Sequence, residues 1–492
     1  LVVDATGMGA GQLISTRKTF KTDAEFQADP RPDSFFTTDD LCGVGGPSGY
    51  TLKKVQVGVD RTTSGGAKWK VLPGVLGYRA EAFGFGAANT GADNLTALQA
   101  ANDAVAAAGG GKLTVRESAT VEGDFYLSAA VNFDAESVDF TFNNGAFNID
   151  GLNAGAHVDY WSAKIQMTRT GTVGPAINLT GDDTVGFNKA AIRGRLYPAV
   201  KGSTGVGIRC ANTFIVDIFN PSVRNCADKG WKFEPGPQGV TAANLINIFG
   251  GETQQCAGGY SAGGVSGIFW HGHGIEGNSA PCFIGANARD IHHIGGYFEH
   301  NANTGYDVII GDAGASPSSI SFSECVFYDG SGATKTHAIQ LKKCDNFSIS
   351  DTRGAGYTTA LVDYAPLSGS AVNGTWQNIT GISATDAALN RNFRNANSQE
   401  VEITATTVWD IPSLAPAGTA GAYANTTLAV PGAAIGDFVQ VTRGGSLGQV
   451  NLWAEVSATD TVRINAANTD STAADPGNAT FRLRVLPKGY YF

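Results

Sequence analysis

Residues 245–301 repeat a pattern that also occurs just before them, and this limits the possible folds more than any other feature. Leu245-Ile-Asn-Ile-Phe-Gly-Gly-Glu-Thr-Gln-Gln-Cys256 matches Ile215-Val-Asp-Ile-Phe-Asn-Pro-Ser-Val-Arg-Asn-Cys226, offset by 30 residues, and Ile291-His-His-Ile-Gly-Gly-Tyr-Phe-Glu-His-Asn301 further on. Gly274-Ile-Glu-Gly-Asn278 aligns with Tyr297-Phe-Glu-His-Asn301 at an offset of 23. Periods of roughly 20–50 residues mean stacked repeats. Alternating apolar residues between Gly, Asn and Asp turns make each repeat β-rich. The expected architecture is a coil of short strands, spanning about 116–385.

The alignment generates columns. Val223, Thr253, Ile275 and Phe298 share one, and Arg224, Gln254, Glu276 and Glu299 share the next. Successive strand side chains point to opposite faces, and stacked strands lie roughly 4.8 Å apart. With the mostly apolar column in the core, Glu276 and Glu299 become neighbours on an outer face. Asn278 and Asn301 align at the following turn, where asparagine suits the backbone and can stack its amides.

Composition narrows the partners. Gly is abundant (65 of 492 residues) and only 16% of residues are charged, which fits tight turns between short strands and opposes long helices. A net charge of −10 argues against a nucleic-acid groove or an anionic membrane surface as partner. No apolar run approaches the roughly 20 residues of a membrane span, no signal peptide is visible, and the cysteine usage leads to the expectation of folding in a reducing cytoplasm. The seven cysteines form no CxxC pair, and six of them fall in the repeat region, as small buried hydrophobes.

Residues 1–80 read as a small β or α+β module, with strand-like pieces at 51–59 and 68–75. Residues 83–87 read as a short strand. Asp93 then suits an N-cap, Leu95, Leu98, Ala101 and Val105 have helical spacing, and Gly109, Gly110 and Gly111 end the helix before a strand at 112–115. Because those glycines follow the helix, they do not gather amides at a helix N-terminus and do not form a phosphate loop. An amphipathic helix here would cover the first rung of a solenoid. Residues 386–400 break the pattern and read as a linker. Residues 401–492 return to alternating strands, including Phe438-Val-Gln-Val-Thr442 and Thr480-Phe-Arg-Leu-Arg-Val485.

The 81–127 stretch, from Glu81-Ala-Phe-Gly-Phe-Gly through Gly91-Ala-Asp-Asn-Leu to Gly109-Gly-Gly-Lys-Leu-Thr-Val115, resembles the opening of the pectate-lyase-like right-handed β-helices. The 401–492 segment, with Val430-Pro-Gly-Ala, Gly436-Asp-Phe-Val and Thr461-Val-Arg-Ile, resembles the C-terminal β-sandwich of phage tail proteins. Together they look like a bacteriophage tailspike. The resemblance implies an all-β chain: a right-handed parallel β-helix with an N-terminal capping helix (81–385), then a small C-terminal β-sandwich (401–492) for trimerisation or glycan binding. It implies a homotrimer on the virion, attached to a tail or baseplate protein through residues 1–80. It implies recognition, and often cleavage, of a bacterial capsule or O-antigen. It carries over no catalytic residue and no cofactor.

Glycoside cleavage needs two carboxyl groups flanking the bond, about 5–5.5 Å apart for retention and about 6.5–9.5 Å for inversion. Adjacent rungs put Glu276 and Glu299 in or near the shorter range, and close like charges raise one pKa. Asp329 joins them as a third catalytic candidate on a further offset of 29 residues, with Asp290, Glu324 and Asp307 in reserve. Arg224, Gln254, Trp270, Tyr297, His300 and Tyr328 are the candidate substrate-binding residues: aromatics to stack on sugars, Arg224 to hold an acidic one. Five of the seven histidines lie between 271 and 300, yet no zinc spacing is present and no metal is expected. The residues thus point to a glycoside hydrolase. A non-cleaving adhesin and a lyase using Arg224 and His300 remain as alternatives.

Overall fold

In the computed structural model, which describes residues 17–20, 23–31, 41–44, 50–54, 61–64, 66–73, 77–181, 189–237, 239, 242–302, 305–330, 335–364, 367, 372–380, 393–395, 403–444 and 449–486, the repeats wind into a parallel β-helix. Each later rung carries three short strands on three faces. The first face stacks Thr213–Phe219, Asn244–Phe249, Ser266–His271, Arg289–Ile294, Ser318–Ser323 and Cys344–Ser350. The second stacks Ser222–Arg224, Glu252–Gln254, Gly274–Glu276, Tyr297–Glu299, Val326–Tyr328 and Arg353–Ala355. The third is a ten-stranded sheet from Phe125–Tyr126 to Ala360–Tyr364. In the early rungs Val131–Asn143, Ser162–Thr170 and Ala191–Gly202 run as single strands in the same sheet as the first two faces.

The register of the second face is the column alignment of the sequence. Val223 pairs with Thr253, then Ile275, Phe298 and Phe327, and Arg224 pairs with Gln254, then Glu276, Glu299 and Tyr328. All five members of the first column are fully buried.

Left-handed residues make the corners. Gly110, Ala130, Tyr160, Arg193, Ile215, Leu245, Gly267, Asp290, Ser319 and Asn346 open the first face on ten successive rungs, all with φ between 49° and 97°. Asn220, Gly250, Gly272, Gly295, Glu324 and Asp351 turn the first face into the second, also at positive φ. Asn, Asp and Gly adopt this conformation readily, which is why they crowd the turns. Ile215 and Leu245 do not, at about 1–2 kcal/mol each.

The core is aromatic and includes neutral histidines. Ile248, Trp270, His293, Phe322 and Ile349 form one inward column of the first face. His293 stacks on Trp270 at 5.4 Å and on Phe322 at 4.9 Å, and its Nε2 meets the Tyr260 hydroxyl at 2.9 Å. His273 is likewise buried, with its two ring nitrogens on Thr253 Oγ1 (2.9 Å) and the Gly250 carbonyl (2.7 Å). At the turn after the second face, Asn278 Nδ2 donates to Asn301 Oδ1 at 2.7 Å and Asn301 Nδ2 to the Ile275 carbonyl at 2.6 Å, so the amides do stack. Cys210, Cys226, Cys256, Cys282, Cys325 and Cys344 are free and buried.

Several local expectations change. Instead of a strand at 83–87, Ala80–Phe83 forms a 3-10 turn closed by Gly84 at φ 100°. The capping helix is Gly91–Ala107, and its N-cap is Thr90, whose hydroxyl accepts from the Asp93 amide and donates to its carboxylate. The proposed linker at 386–400 lies outside the described residues except for Phe393–Asn395, which pairs with Val372–Gln377 as a further strand of the coil. In the N-terminal region, strands Arg17–Phe20, Leu41–Val44, Tyr50–Lys54, Arg61–Thr62 and Lys68–Leu72 form one mixed sheet. In the C-terminal region two three-stranded antiparallel sheets enclose their own core around Ile411, Val462, Ile464, Phe481 and Val485.

Candidate active site

On the second face the outward positions form two rows. One is Arg224, Gln254, Glu276, Glu299 and Tyr328; the other, two residues earlier on each strand, is Ser222, Glu252, Gly274, Tyr297 and Val326. The strands are only three residues long, and the inward Val223, Thr253, Ile275, Phe298 and Phe327 lock them by burial. Every outward side chain is therefore fixed by its position in a rung.

Glu276 and Glu299 are direct register partners. Glu276 Oε2 accepts from Gln254 Nε2 at 2.9 Å. Partial burial raises the Glu276 pKa, and the charge of Glu299 raises it further, against the Gln254 bond that lowers it. Glu299 Oε2 accepts from the Tyr297 hydroxyl at 2.7 Å, and its Oε1 lies 3.6 Å from His300 Nδ1. Desolvation and that bond push the Tyr297 hydroxyl up to about 12. Two carboxyls thus stand one rung apart, one biased toward the protonated form and the other accepting from a hydroxyl, which is the arrangement that acid–base chemistry requires.

The other sequence candidates divide. Tyr328, 40% exposed, extends the row beyond Glu299, its ring 6.2 Å from that of His300. Arg224 is committed to Glu252, its Nε donating to Oε1 at 2.9 Å, so the far end of the row is a neutral ion pair rather than a free cation. Trp270 does not belong to the site. The Gly267 bend places it inward, in the column of Ile248 and His293, where it is fully buried. Asp329 is also misplaced: it is buried beside the network of Asp307 and Tyr357, within the wall. Asp307 is deeper still, held by Lys335, Tyr357 and the Asn301 amide. Asp290 and Glu324 occupy corners and do not join the pair. His271 and His273 diverge, one outward and one buried, because Gly272 turns the corner between them.

Two features were missed. Glu252 stands beside Gly274 in the second row and adds to the negative potential at Glu276. An outward ladder on the first face stacks Tyr197 on Phe219 (5.1 Å), Phe219 on Phe249 (5.2 Å) and Phe249 on His271 (4.9 Å). Their rings lie within 20° of parallel, so they cover one another's faces and present edges outward. The offset that pairs Gln254 with Glu276 also pairs Phe249 with His271, so the signal was present.

No protein-family model and no curated protein matches the sequence. Among solved structures the chain is similar to the tailspike protein gp49 of Acinetobacter baumannii bacteriophage Fri1, a capsular polysaccharide depolymerase, at 10% identity and a TM-score of 0.46, over 95% of this chain and 98% of that one. It is similar to a mutant tailspike protein of E. coli bacteriophage HK620 in complex with pentasaccharide, at 10% identity and a TM-score of 0.45, over 82% and 90% of the two chains. It is also similar to the A-module of the Azotobacter vinelandii mannuronan C-5 epimerase AlgE4, at 15% identity and a TM-score of 0.39, over 59% and 99%.

Proposed function

We propose that the chain is a tailspike that recognises a bacterial surface polysaccharide and hydrolyses it at Glu276 and Glu299. The in-register pairing of these glutamates carries the reading. Glu276, biased toward its protonated form, donates a proton to the glycosidic oxygen as the bond to the anomeric carbon breaks. Glu299 attacks that carbon from the opposite side and forms a glycosyl ester. Water then adds at the same carbon, Glu276 takes its proton, and Glu299 is released. Side chains one rung apart, roughly 4.8 Å, suit this double displacement and retention of configuration. A lyase that used Arg224 to neutralise a uronate would have to draw that guanidinium away from Glu252, which favours hydrolysis. Assembly as a homotrimer and attachment to the tail through residues 1–80 belong to the same reading and rest on the sequence resemblance.

The test is incubation with purified capsules and O-antigens from candidate hosts. New reducing ends without an ultraviolet-absorbing product, and an anomeric proton first seen in the configuration of the substrate, support retaining hydrolysis. An absorbing unsaturated product means a lyase. Binding without shortening, unchanged in Glu276→Gln, means an adhesin.

A further inference from the structure

Gly274 and Tyr297 occupy the same register position on neighbouring strands, two residues before Glu276 and Glu299 respectively. Side chains at this spacing stand on one face of a strand and reach each other. Tyr297 uses the reach: its hydroxyl donates to Glu299 Oε2 at 2.7 Å. Gly274 leaves it empty. Its φ lies outside the left-handed range, so the backbone does not call for glycine. A Cβ there would stand 2.9 Å from Glu276 Oε1, with Glu276 Cδ and the Gly251 carbonyl oxygen each at 3.8 Å. The vacant space is therefore occupied by the Glu276 carboxyl itself, folded back against bare backbone. A glycine inside a strand often marks such a close approach.

The geometry points to Gly274 and Tyr297 as positioning residues that set which glutamate is the acid and which the nucleophile. This rests on the hydrolase reading above. The hydroxyl of Tyr297 donates to Glu299 Oε2 and so fixes the orientation of that carboxyl. Gly274 offers no donor and lets Glu276 fold down, where desolvation favours its protonated form. The groups facing Glu276 are Gln254 and Glu252 from the preceding strand, Arg224 beyond them, and Glu299 and Tyr297 from the following one. Those facing Glu299 are Tyr297, His300 and Glu276, with Tyr328 on the next strand. None of these gives Glu276 a hydroxyl donor of the kind Tyr297 gives Glu299.

The experiment is the pH–rate profile of Gly274→Ser and Tyr297→Phe on a polysaccharide that the wild type hydrolyses. Gly274→Ser supplies a hydroxyl and displaces the carboxyl. The basic limb, which reports loss of the acid's proton, should move to lower pH. Tyr297→Phe removes the donor from the nucleophile. Its kcat should fall at least about tenfold with KM changed little, because the bond orients the reacting carboxylate. Gly274→Ala separates the two effects at Gly274, since it displaces Glu276 without supplying a donor. A basic limb that stays at its wild-type position in Gly274→Ser together with an unchanged kcat in Tyr297→Phe, with circular dichroism confirming the fold, overturns the inference while leaving hydrolysis standing. A wild type that hydrolyses nothing removes the hydrolase reading and this inference with it.

Discussion

Glu276 and Glu299 pair across adjacent strands of the second face, so their main chains are held at one rung spacing by the sheet. Coupling between them is therefore a property of the fold and has a measurable cost. Burial and Glu299 both raise the Glu276 pKa. A carboxyl raised in the fold binds its proton more tightly there than in the unfolded chain. Its penalty on stability is absent below the ordinary value of 4.5 and complete once the pH exceeds the folded value. Glu276→Gln should thus stabilise the protein at neutral pH, by less than about 1 kcal/mol for a partly exposed group, and the gain should vanish below pH 4.5. Denaturant unfolding at pH 4 and pH 7.5 checks this.

The two buried histidines act with the opposite sign. Burial drives His273 down to about 4 and His293 well below 6.5. The unfolded chain then binds more protons, so stability is complete above pH 6.5 and declines as pH falls toward 4. His273 alone accounts for roughly 3 kcal/mol over that interval. His273→Asn should be less stable at pH 7 and show a shallower loss between pH 6.5 and pH 4, measured by urea unfolding across that range.

Asp307 and Lys335 form a buried ion pair at 2.9 Å, with side chains 0% and 1% exposed. Tyr357 and the Asn301 amide complete the carboxylate's bonds, and Lys335 also donates to the Asn301 carbonyl. Lys335→Met leaves an uncompensated charge in the wall and should cost about 3–5 kcal/mol. The double change Lys335→Met with Asp307→Leu should recover part of that loss, which a double-mutant unfolding cycle reads directly.

Leu245 holds φ 54° and is 48% exposed, at a corner where its neighbours on later rungs are Gly267 and Asp290. Leu245→Asn should relieve the backbone and raise stability by about 1 kcal/mol. Gly267→Ala should do the reverse, because its Cβ would meet Asn244 Oδ1 at 2.7 Å and the Leu245 amide nitrogen at 3.0 Å. Thermal unfolding of the two variants should shift in opposite directions.

The second face was legible because its strands carry one inward residue between two outward ones, so aligned columns translate into register without ambiguity. Glu276 and Glu299 were found in this way. The first face was harder. A left-handed residue opens each of its strands, as at Gly267, and alternation must be counted from the bend. Counted so, Ile248 leads to Trp270 and the indole falls in the core. Asp329 failed for a different reason: alignment gave its neighbour Tyr328 the correct column but could not show that the next side chain turns inward toward Tyr357. The partners of Arg224 and Glu299 come from side-chain reach along and across strands, information that spacing alone does not hold. At the helix start, Thr90 and Asp93 both suit a cap, and the hydroxyl at Thr90 took the position that starts the helix one turn earlier.

The corner between the first and second faces is always two residues: 250–251, 272–273, 295–296, 324–325 and 351–352. The segments leading from the second face into the third vary instead, from three residues between Gln254 and Gly258 to eight between Glu299 and Val308. Length can therefore change beside the carboxyl pair while the pair itself stays in register. For anyone wishing to retarget such a chain, the stretch between Asn301 and Asp307, with those two anchors kept, is the place to graft foreign sequence, and the two-residue corner is the place to leave alone.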